Sequence, residues 1–346
     1  MSVCTDSRLN ALRQWLTTVF PTPVESLEPA SADASFRRYF RIVEQGRTWI
    51  VMDAPPEREN VPAFLRVGQL LQAVGVHVPT VHAADPAQGF VVLDDFGNTS
   101  YHAVWTTPAA PALYQSALDT LLQMQSRILP ADHPWLPAYD EGLLRRELHI
   151  FREWFLEGLL QLRLSAVEDS LWREVCDRLV TEALAQPVVF VHRDFHSRNL
   201  MVTAGVNPGV LDFQDAVRGP LTYDLVSLLR DCYLLWPELQ VDAWVEDFRL
   251  RLHAAGMAGT ESPAGFRRWF DWMGMQRHLK AVGLFARLKR RDDKPGYLAA
   301  IPRTLSYVTV VADQYPEWAA FGRFLNERVY AGSCAVTLAI ESCGPP

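Results

Sequence analysis

The segment at residues 188–212 carries the side chains with the clearest chemical potential. In chain order these are His192, Asp194, Asn199 and Asp212. Phosphoryl transfer from ATP needs one carboxylate to receive the proton of the attacking hydroxyl, and an amide and a second carboxylate to hold magnesium beside the phosphates. The spacing His-x-Asp-x-x-x-x-Asn, followed by a hydrophobic-Asp-Phe element, supplies this set. It predicts Asp194 as the catalytic base, Asn199 and Asp212 as ligands of Mg²⁺, and ATP as the phosphoryl donor.

The neighbouring residues of this loop admit more than one role. His192 is expected to brace the loop by hydrogen bonding, and His196 could touch the metal shell or the substrate, or be structural. Arg198 could support the loop, neutralise phosphate charge or pair with an acid. A simpler interpretation stays open, in which His192 and Asp194 form a structural pair and Asp212 caps a turn.

The elements around the loop are predicted from apolar patterning. PVVFV and GVL, at residues 187–191 and 209–211, are typical of short buried strands. Upstream, FRRYFRIV alternates and Gly46 turns the chain into RTWIVMDAP, which predicts a β-hairpin. The small polar residues 31–35 precede it, where a phosphate-covering loop would lie. Ser31 and Ser35 could donate hydroxyl hydrogen bonds to a phosphate, although an ordinary polar turn fits equally well.

A second apolar run, GFVVLDDFG, predicts a strand that leads into a hinge. Asp94, Asp95 and Phe96 would then border the nucleotide, or the two acids would simply cap the turn. Helical spacing predicts helices over residues 9–20, 61–74, 111–126, 141–164, 170–185, 221–236, 241–255, 262–291 and 301–314. Asp224, at the start of one of them, is expected to satisfy free backbone N–H groups there.

The distribution of lysine restricts how phosphate charge can be balanced. Lysine occurs only at positions 280, 289 and 294, so no lysine precedes residue 280. Arg38 or Arg41 of the hairpin could therefore reach the phosphates, with solvated surface arginines as the alternative. Residues 277–303 contain eight Lys or Arg against two acids. If Arg277 and Lys280 line the cleft, their charge favours an anionic or neutral acceptor over a polycation.

Composition excludes several classes of protein. The 346 residues suit a two-lobed globular enzyme, and a net charge of -7 argues against general nucleic-acid binding. No apolar run is long enough to span a membrane, and no secretory signal is evident, so a cytoplasmic location is expected. The cysteines have no metal-ligand spacing and are expected to be free thiols; they are Cys4, Cys176, Cys232, Cys334 and Cys343.

The catalytic-loop residues resemble those of the aminoglycoside phosphotransferase/choline kinase family. His192, Asp194 and Asn199 match its catalytic loop, and Asp212 matches its metal aspartate. The resemblance implies an α+β, bilobal protein-kinase-like fold that phosphorylates a small molecule. Residues 1–97 would form a nucleotide-binding N-lobe with an antiparallel sheet, and residues 98–346 a mostly helical C-lobe with the metal site and the acceptor site.

A narrower resemblance covers most of the chain. DASFRRYFRI, WIVMDAPPE, VHRDFHSRNLM, GVLDFQDAVRGPLTYDL and QRHLKAVGLFARLKRRDDKPGYL are similar to segments of the bacterial anomeric sugar kinases. This resemblance implies phosphorylation of N-acetylmuramate and N-acetylglucosamine at the anomeric hydroxyl in peptidoglycan recycling, and Arg277 and Lys280 would suit the lactyl carboxylate of N-acetylmuramate. The alternatives are an aminoglycoside or choline kinase, and a non-catalytic nucleotide-binding module, which the missing lysine favours. The oligomeric state is not indicated.

Overall fold

The computed structural model describes residues 6–32 and 36–330. Ser35 and the C-terminal tail, whose placement the sequence left open, lie outside these residues, as do Cys4, Cys334 and Cys343. Contacts between residues divide the chain into two compact units; the first is Met1–Ala117 with Arg198–Asp215, and the second is Leu118–Ser197 with Ala216–Pro346. The predicted lobe boundary at residue 97 falls inside the first unit, which also takes in Arg198–Asp215, the metal-loop segment that contains the predicted metal ligands Asn199 and Asp212.

The first unit contains an antiparallel sheet. Its described strands are β1 (Ser26–Ala32), β2 (Arg38–Glu44), β3 (Arg47–Asp53), β4 (Val81–Asp85) and β5 (Phe90–Asp94), in the spatial order β1-β2-β3-β5-β4. The predicted hairpin is β2–β3, which pairs Glu44 with Arg47. Gln45 and Gly46 both have positive φ, as a two-residue hairpin turn of the I′ type requires.

Strand β1 was not predicted from the sequence. Its residues SLEPASA lack the β-branched and aromatic side chains that are typical of strands. β1 lies at the edge of the sheet, where Pro29 is tolerated because its missing N–H need not pair with a second neighbouring strand. The register of β1 with β2 shifts between Pro29 and Ser31. Tertiary pairing with β2, rather than local preference, therefore makes this segment a strand.

Four of the described helices lie wholly or partly in the first unit. They are α1 (Ser7–Val19), α2 (Val61–Ala73), the short α3 (Tyr101–Val104) and α4 (Ala110–Arg127), which crosses the boundary between the units. The Asp6 side chain accepts the backbone N–H of Leu9 and so caps α1, which buries Leu12 and Leu16 against the strands. A small ladder of β7 (Leu200–Met201) and β8 (Gly209–Val210) holds the ends of the metal-loop segment.

The second unit is mostly helical. Its helices are α5 (Glu141–Ile150), which continues as a π-helix (Phe151–Leu159), α6 (Ala166–Leu184), α7 (Tyr223–Leu229), α8 (Glu238–Ala254), α9 (Pro263–Asp292), α10 (Ile301–Gln314) and α11 (Ala319–Phe324), followed by a π-helix (Leu325–Tyr330). Short 3-10 turns occupy Pro130–Asp132, Pro295–Ala300 and Pro316–Trp318. The helix predicted over residues 221–236 is shorter than expected and ends at Leu229, because Arg230 leaves the helical conformation with φ = -116° and ψ = 55°.

Helix α9 is the core element of this unit. The Ser262 hydroxyl caps its first turn, Pro263 occupies its first position, and Asp293 ends it in a left-handed conformation. The helix packs against α5, the π-helix that follows α5, α7 and α10. Every residue from Phe270 to Leu279 is buried, including charged ones, so α9 carries charged side chains into the interior of the unit.

One strand of a two-stranded ladder precedes the predicted catalytic loop at residues 192–199. The predicted strand β6 (Val188–Val191) pairs antiparallel with β9 (Val217–Pro220). Among the residues that the structure describes, no helix has the length and apolar character needed to cross a membrane. Within the same residues Cys176 and Cys232 are free thiols, as predicted.

Candidate active site

A cavity of about 390 Å³ opens within the first unit. It is lined by the predicted hinge residues Asp94, Asp95 and Phe96, and by both predicted metal ligands, Asn199 and Asp212. Apolar side chains of the sheet and of α2 form another part of its wall; they include Ile50, Leu93 and Phe64. A mostly apolar cavity with a few polar groups at one place is the usual form of a small-molecule site.

The two predicted metal ligands lie side by side. The Asn199 amide nitrogen is 3.4 Å from Oδ2 of Asp212, and the backbone N–H of Leu211 donates to the Asn199 carbonyl at 2.9 Å. Asp212 has φ = 64°, a left-handed conformation that costs a non-glycine residue free energy and is concentrated at functional sites. An amide oxygen and a carboxylate on one cavity wall fit the few oxygen ligands that Mg²⁺ takes from protein.

Arg37 is a site residue that sequence analysis did not select. Its Nη2 donates to Oδ1 of Asp212 at 2.9 Å, and its Nε lies 3.6 Å from Oε2 of Glu59, just before α2. The arginine is only 8% exposed. Arg37 thus lies between Glu59 and the predicted metal ligand Asp212, and it provides a buried positive charge in a unit that contains no lysine. No local pattern distinguishes it from Arg38.

The two arginines that were predicted to meet the phosphates differ in position. Arg41 lines the cavity, and its guanidinium is paired with Asp95 at 2.6 and 2.9 Å. Arg38 does not line it, which corrects the prediction. Its guanidinium instead contacts Asp6 and the fully buried Asp53, at the end of β3. The alternation of the strand sends Arg38 to the other face of the sheet.

The remaining predictions for this unit have mixed outcomes. Arg198 lines the cavity next to Asn199. The backbone of Ser31 lies in β1, while its side chain is not described and Ser35 lies outside the described residues. Phe96 contacts the ring of His77, with 4.6 Å between ring centroids. These positions leave the hydroxyl contacts to phosphate as a prediction.

A second, smaller cavity of about 80 Å³ lies within the second unit. Asp194, His196, Arg277 and Lys280 all line it, so the predicted base and the predicted substrate residues share one pocket. The ring of Tyr233 packs edge-on against His196 on its wall, 5.5 Å between centroids. The catalytic loop and α9 are far apart in sequence, and the folding of this unit brings them together.

The catalytic loop is held from behind by Asp224. Its two carboxylate oxygens accept the backbone N–H groups of His192 at 2.6 Å and of Arg193 at 3.0 Å. Asp224 is fully buried and therefore braces the loop rather than the start of its own helix, which corrects the sequence expectation. Nδ1 of the fully buried His192 faces the backbone N–H of Asp194 at 3.3 Å, as a loop-supporting histidine would. Arg193 adopts φ = 76°, which sets the direction of the loop.

The electrostatics of the pocket separate the two aspartates. Burial alone would raise the pKa of Asp194, but the positive charges of Lys280 and Arg193 outweigh it and hold that pKa below its ordinary value. Burial raises the pKa of Asp224 to about 7, and the nearby negative charge of Asp194 adds to the effect. Asp194 is therefore ionised at neutral pH, whereas Asp224 holds its proton to a higher pH than an ordinary aspartate does.

Glu147 of α5 is the second residue that sequence analysis missed. It is almost fully buried and accepts hydrogen bonds from Arg193 at 2.7 Å and from Gln276 at 3.1 Å, and it pairs with Lys280 at 2.9 Å. The Tyr139 hydroxyl also donates to it. Burial would raise the pKa of this carboxyl, but the charges of Lys280 and Arg193 lower it. Glu147 therefore joins the catalytic loop to α9, through partners that no sequence spacing reveals.

The chain matches one protein family and several named relatives. The sequence profile of the phosphotransferase enzyme family matches residues 26–266. An N-acetylmuramate/N-acetylglucosamine kinase of Pseudomonas putida is 42% identical in an alignment 332 residues long that covers 93% of this chain and 97% of that protein. A protein of the same name from Neisseria meningitidis is 44% identical in an alignment 323 residues long that covers 92% of this chain and 95% of the relative.

Solved structures show the same architecture. The choline kinase LicA of Streptococcus pneumoniae superposes with a TM-score of 0.62 at 10% identity, and covers 87% of this chain and 99% of its own. This likeness confirms the predicted protein-kinase-like α+β fold class, with its antiparallel sheet and its mostly helical remainder. The family match and the close relatives confirm the predicted resemblance and the predicted enzyme class, an ATP-dependent phosphotransferase. The chain therefore belongs to the phosphotransferase enzyme family.

Proposed function

We propose that this enzyme transfers the γ-phosphoryl group of ATP to the anomeric hydroxyl of N-acetylmuramate and of N-acetylglucosamine. The observation that carries the proposal is the pair of relatives named for these two sugars, which align over more than nine tenths of the chain. Sequence similarity of this extent includes both cavity-lining segments. The small cavity around Asp194 and the basic residues of α9 supplies the chemistry that such acceptors need.

Asp194 is the proposed base. As the sugar hydroxyl oxygen bonds to the γ-phosphorus, the bond from that phosphorus to the β,γ-bridging oxygen breaks and ADP leaves; the hydroxyl proton passes to the Asp194 carboxylate. The lowered pKa makes Asp194 a weak base but keeps it ionised, so its main effect is to orient the hydroxyl. Asp224 and Glu147 position the loop that carries it.

Asn199 and Asp212 are the proposed holders of Mg²⁺, for which their oxygen donors are suited. When bound, the ion would offset the charge of the ATP phosphates. Arg37 orients Asp212 through the 2.9 Å ion pair and adds a positive charge to this region. Arg41 and Arg198, which line the same cavity, are the proposed phosphate contacts, and Asp94, Asp95 and Phe96 border the nucleotide. Ser31 and Ser35 stay candidates for hydroxyl contacts.

His196, Arg277 and Lys280 are the proposed substrate-side residues. The buried guanidinium of Arg277 at the acceptor cavity disfavours a polycationic aminoglycoside, since like charges would meet there in a desolvated place. The same cation is a poor environment for the quaternary ammonium of choline. We further propose that the reaction serves peptidoglycan recycling in the cytoplasm, where ATP and recovered cell-wall sugars are both available.

The test is coupled ATP turnover with magnesium over a panel of acceptors. N-acetylmuramate, N-acetylglucosamine, its methyl glycoside, choline, kanamycin and a blank would be compared. We expect product from the two free sugars alone, because the methyl glycoside lacks the anomeric hydroxyl. Asp194→Asn should lower turnover by about 100-fold or more while nucleotide binding persists.

A matched control is Asp119→Asn, which removes an exposed acid of α4 and should leave turnover unchanged. Activity on choline or kanamycin alone would overturn the acceptor but keep the phosphotransferase chemistry. Binding of ATP without turnover on any acceptor would contradict the proposed function as a whole.

A further inference from the structure

The two basic residues of α9 at the acceptor cavity are in different electrostatic states. The ammonium of Lys280 pairs with Glu147 at 2.9 Å and donates to the Tyr223 hydroxyl at 3.0 Å. Its charge is therefore already compensated inside the protein. Removing the Lys280 ammonium would leave the buried Glu147 carboxylate without one of its cationic partners. Lys280 therefore belongs to the internal network that supports the catalytic loop.

Arg277, one turn earlier on the helix, makes no ion pair within the described residues. Burial would lower its pKa, but the negative charges of Asp231 and Asp194 act on it without direct contact and raise that pKa. It is only 6% exposed, and the hydrogen bond that its guanidinium makes is a 3.6 Å contact from Nη1 to the sulfur of Cys232. Its buried Nε has no hydrogen-bond partner within the part of the chain that the structure describes. Burial raises the pKa of the Cys232 thiol, so the sulfur is a neutral and weak acceptor.

The nearest acid of the adjoining loop is used elsewhere. Both oxygens of Asp231 accept backbone N–H groups, from Ser197 at 2.9 Å and from Tyr233 at 2.8 Å. The charges of Asp231 and Asp194 therefore stabilise the buried guanidinium, but neither carboxylate occupies its N–H groups in a direct ion pair. A buried, poorly paired arginine on the wall of a cavity is therefore suited to an anion that arrives with a ligand.

We propose that Arg277, and not Lys280, binds the carboxylate of an acidic sugar acceptor and makes the enzyme favour that acceptor over the same sugar without the acid. This inference rests on the proposed function, in which one acceptor carries a lactyl carboxylate and the other carries none. A guanidinium suits this task because its planar pair of N–H groups matches a carboxylate in two hydrogen bonds.

The experiment compares Arg277→Met and Arg277→Lys with the wild-type enzyme. The values of kcat/KM for N-acetylmuramate and for N-acetylglucosamine are measured separately, and their ratio is the readout. We expect Arg277→Met to lower the ratio about 10- to 100-fold, as the loss of a charge-assisted pair implies, with most of the loss in KM for N-acetylmuramate. Arg277→Lys should recover part of the ratio, since it keeps the charge but loses the fork.

Thermal unfolding separates binding from a structural role. Methionine replaces a buried charge that has no direct ion pair by an apolar chain of similar length, so Tm should change little. An unchanged ratio, or equal losses on both sugars together with a lower Tm, would overturn the inference. Arg303→Met, which removes an exposed arginine of α10, is the control and should leave the ratio unchanged. Absence of wild-type turnover on either sugar would instead reject the proposed function, and this inference with it.

Discussion

Replacing Arg37 by methionine should impair the use of ATP while the protein stays folded. The Arg37 side chain is 7% exposed and its Nη2 lies 2.9 Å from Oδ1 of Asp212, whose side chain is 29% exposed. With an effective dielectric constant of about 20, this separation corresponds to a gross attraction of about 6 kcal/mol. The desolvation of Arg37 and the partial hydration of Asp212 reduce the net value to that of a charge-assisted hydrogen bond, about 1.5–3 kcal/mol.

The ion pair fixes the position of the Asp212 carboxylate, so its loss should appear in the step that depends on the orientation of Asp212. We expect Arg37→Met to lower kcat/KM for ATP by about 10- to 100-fold and to change the Mg²⁺ concentration that gives half-maximal activity. Arg37→Lys should restore part of the activity, because a shorter cation can still reach the acid.

The assay is steady-state turnover with ATP and Mg²⁺ varied separately, accompanied by thermal unfolding of each variant. Arg13→Met, which removes an exposed arginine of α1, is the control for loss of a positive charge. Activity within threefold of wild type in Arg37→Met would refute the reasoning. So would a lysine variant that is as impaired as the methionine variant while Tm and the Mg²⁺ dependence stay those of wild type, because then the charge would have no effect.

Two further predictions concern the second unit. A Cβ at Gly283 would lie 2.6 Å from the backbone of Ile150 and Phe151, so Gly283→Ala should lower the free energy of unfolding by about 2 kcal/mol in urea titrations. On the same helix, a Cβ at Gly274 meets nothing closer than 3.6 Å, so Gly274→Ala should raise that free energy by up to about 1 kcal/mol. Equal effects of the two substitutions would contradict this packing. Burial raises the pKa of Asp224 from 3.8 to about 7. The contribution of this group to the stability of the fold is therefore fully present below about pH 4 and is lost as pH rises through 7. It is of the order of 4 kcal/mol at most. The free energy of unfolding of wild type relative to Asp224→Asn should therefore fall between pH 4 and pH 8, and a flat difference would show that Asp224 is ionised throughout; the variant should also lose activity, because one loop N–H loses its acceptor.

Local patterning predicted most of the elements in the fold. The β2–β3 hairpin, α2 and the helices of the second unit follow from apolar spacing, turn residues and caps, which act between residues close in the chain. Strand β1 escaped because its residues have little intrinsic preference for extended structure and only its pairing with β2 makes it a strand. The helix expected over residues 221–236 was too long because apolar periodicity continues past Leu229, where the backbone turns.

The sequence by itself determined the chemistry of this protein. Asp194, Asn199 and Asp212 lie within one short segment of the chain. Their residue types, order and spacing were therefore sufficient to predict phosphoryl transfer. Only the tertiary structure decided what surrounds them. Arg37 and Asp212 are 175 residues apart, and Gln276 and Glu147 are 129 apart. Such pairs form because folding buries charges that must find partners, and the chain position of a partner is set by the packing of whole elements, which no local pattern records.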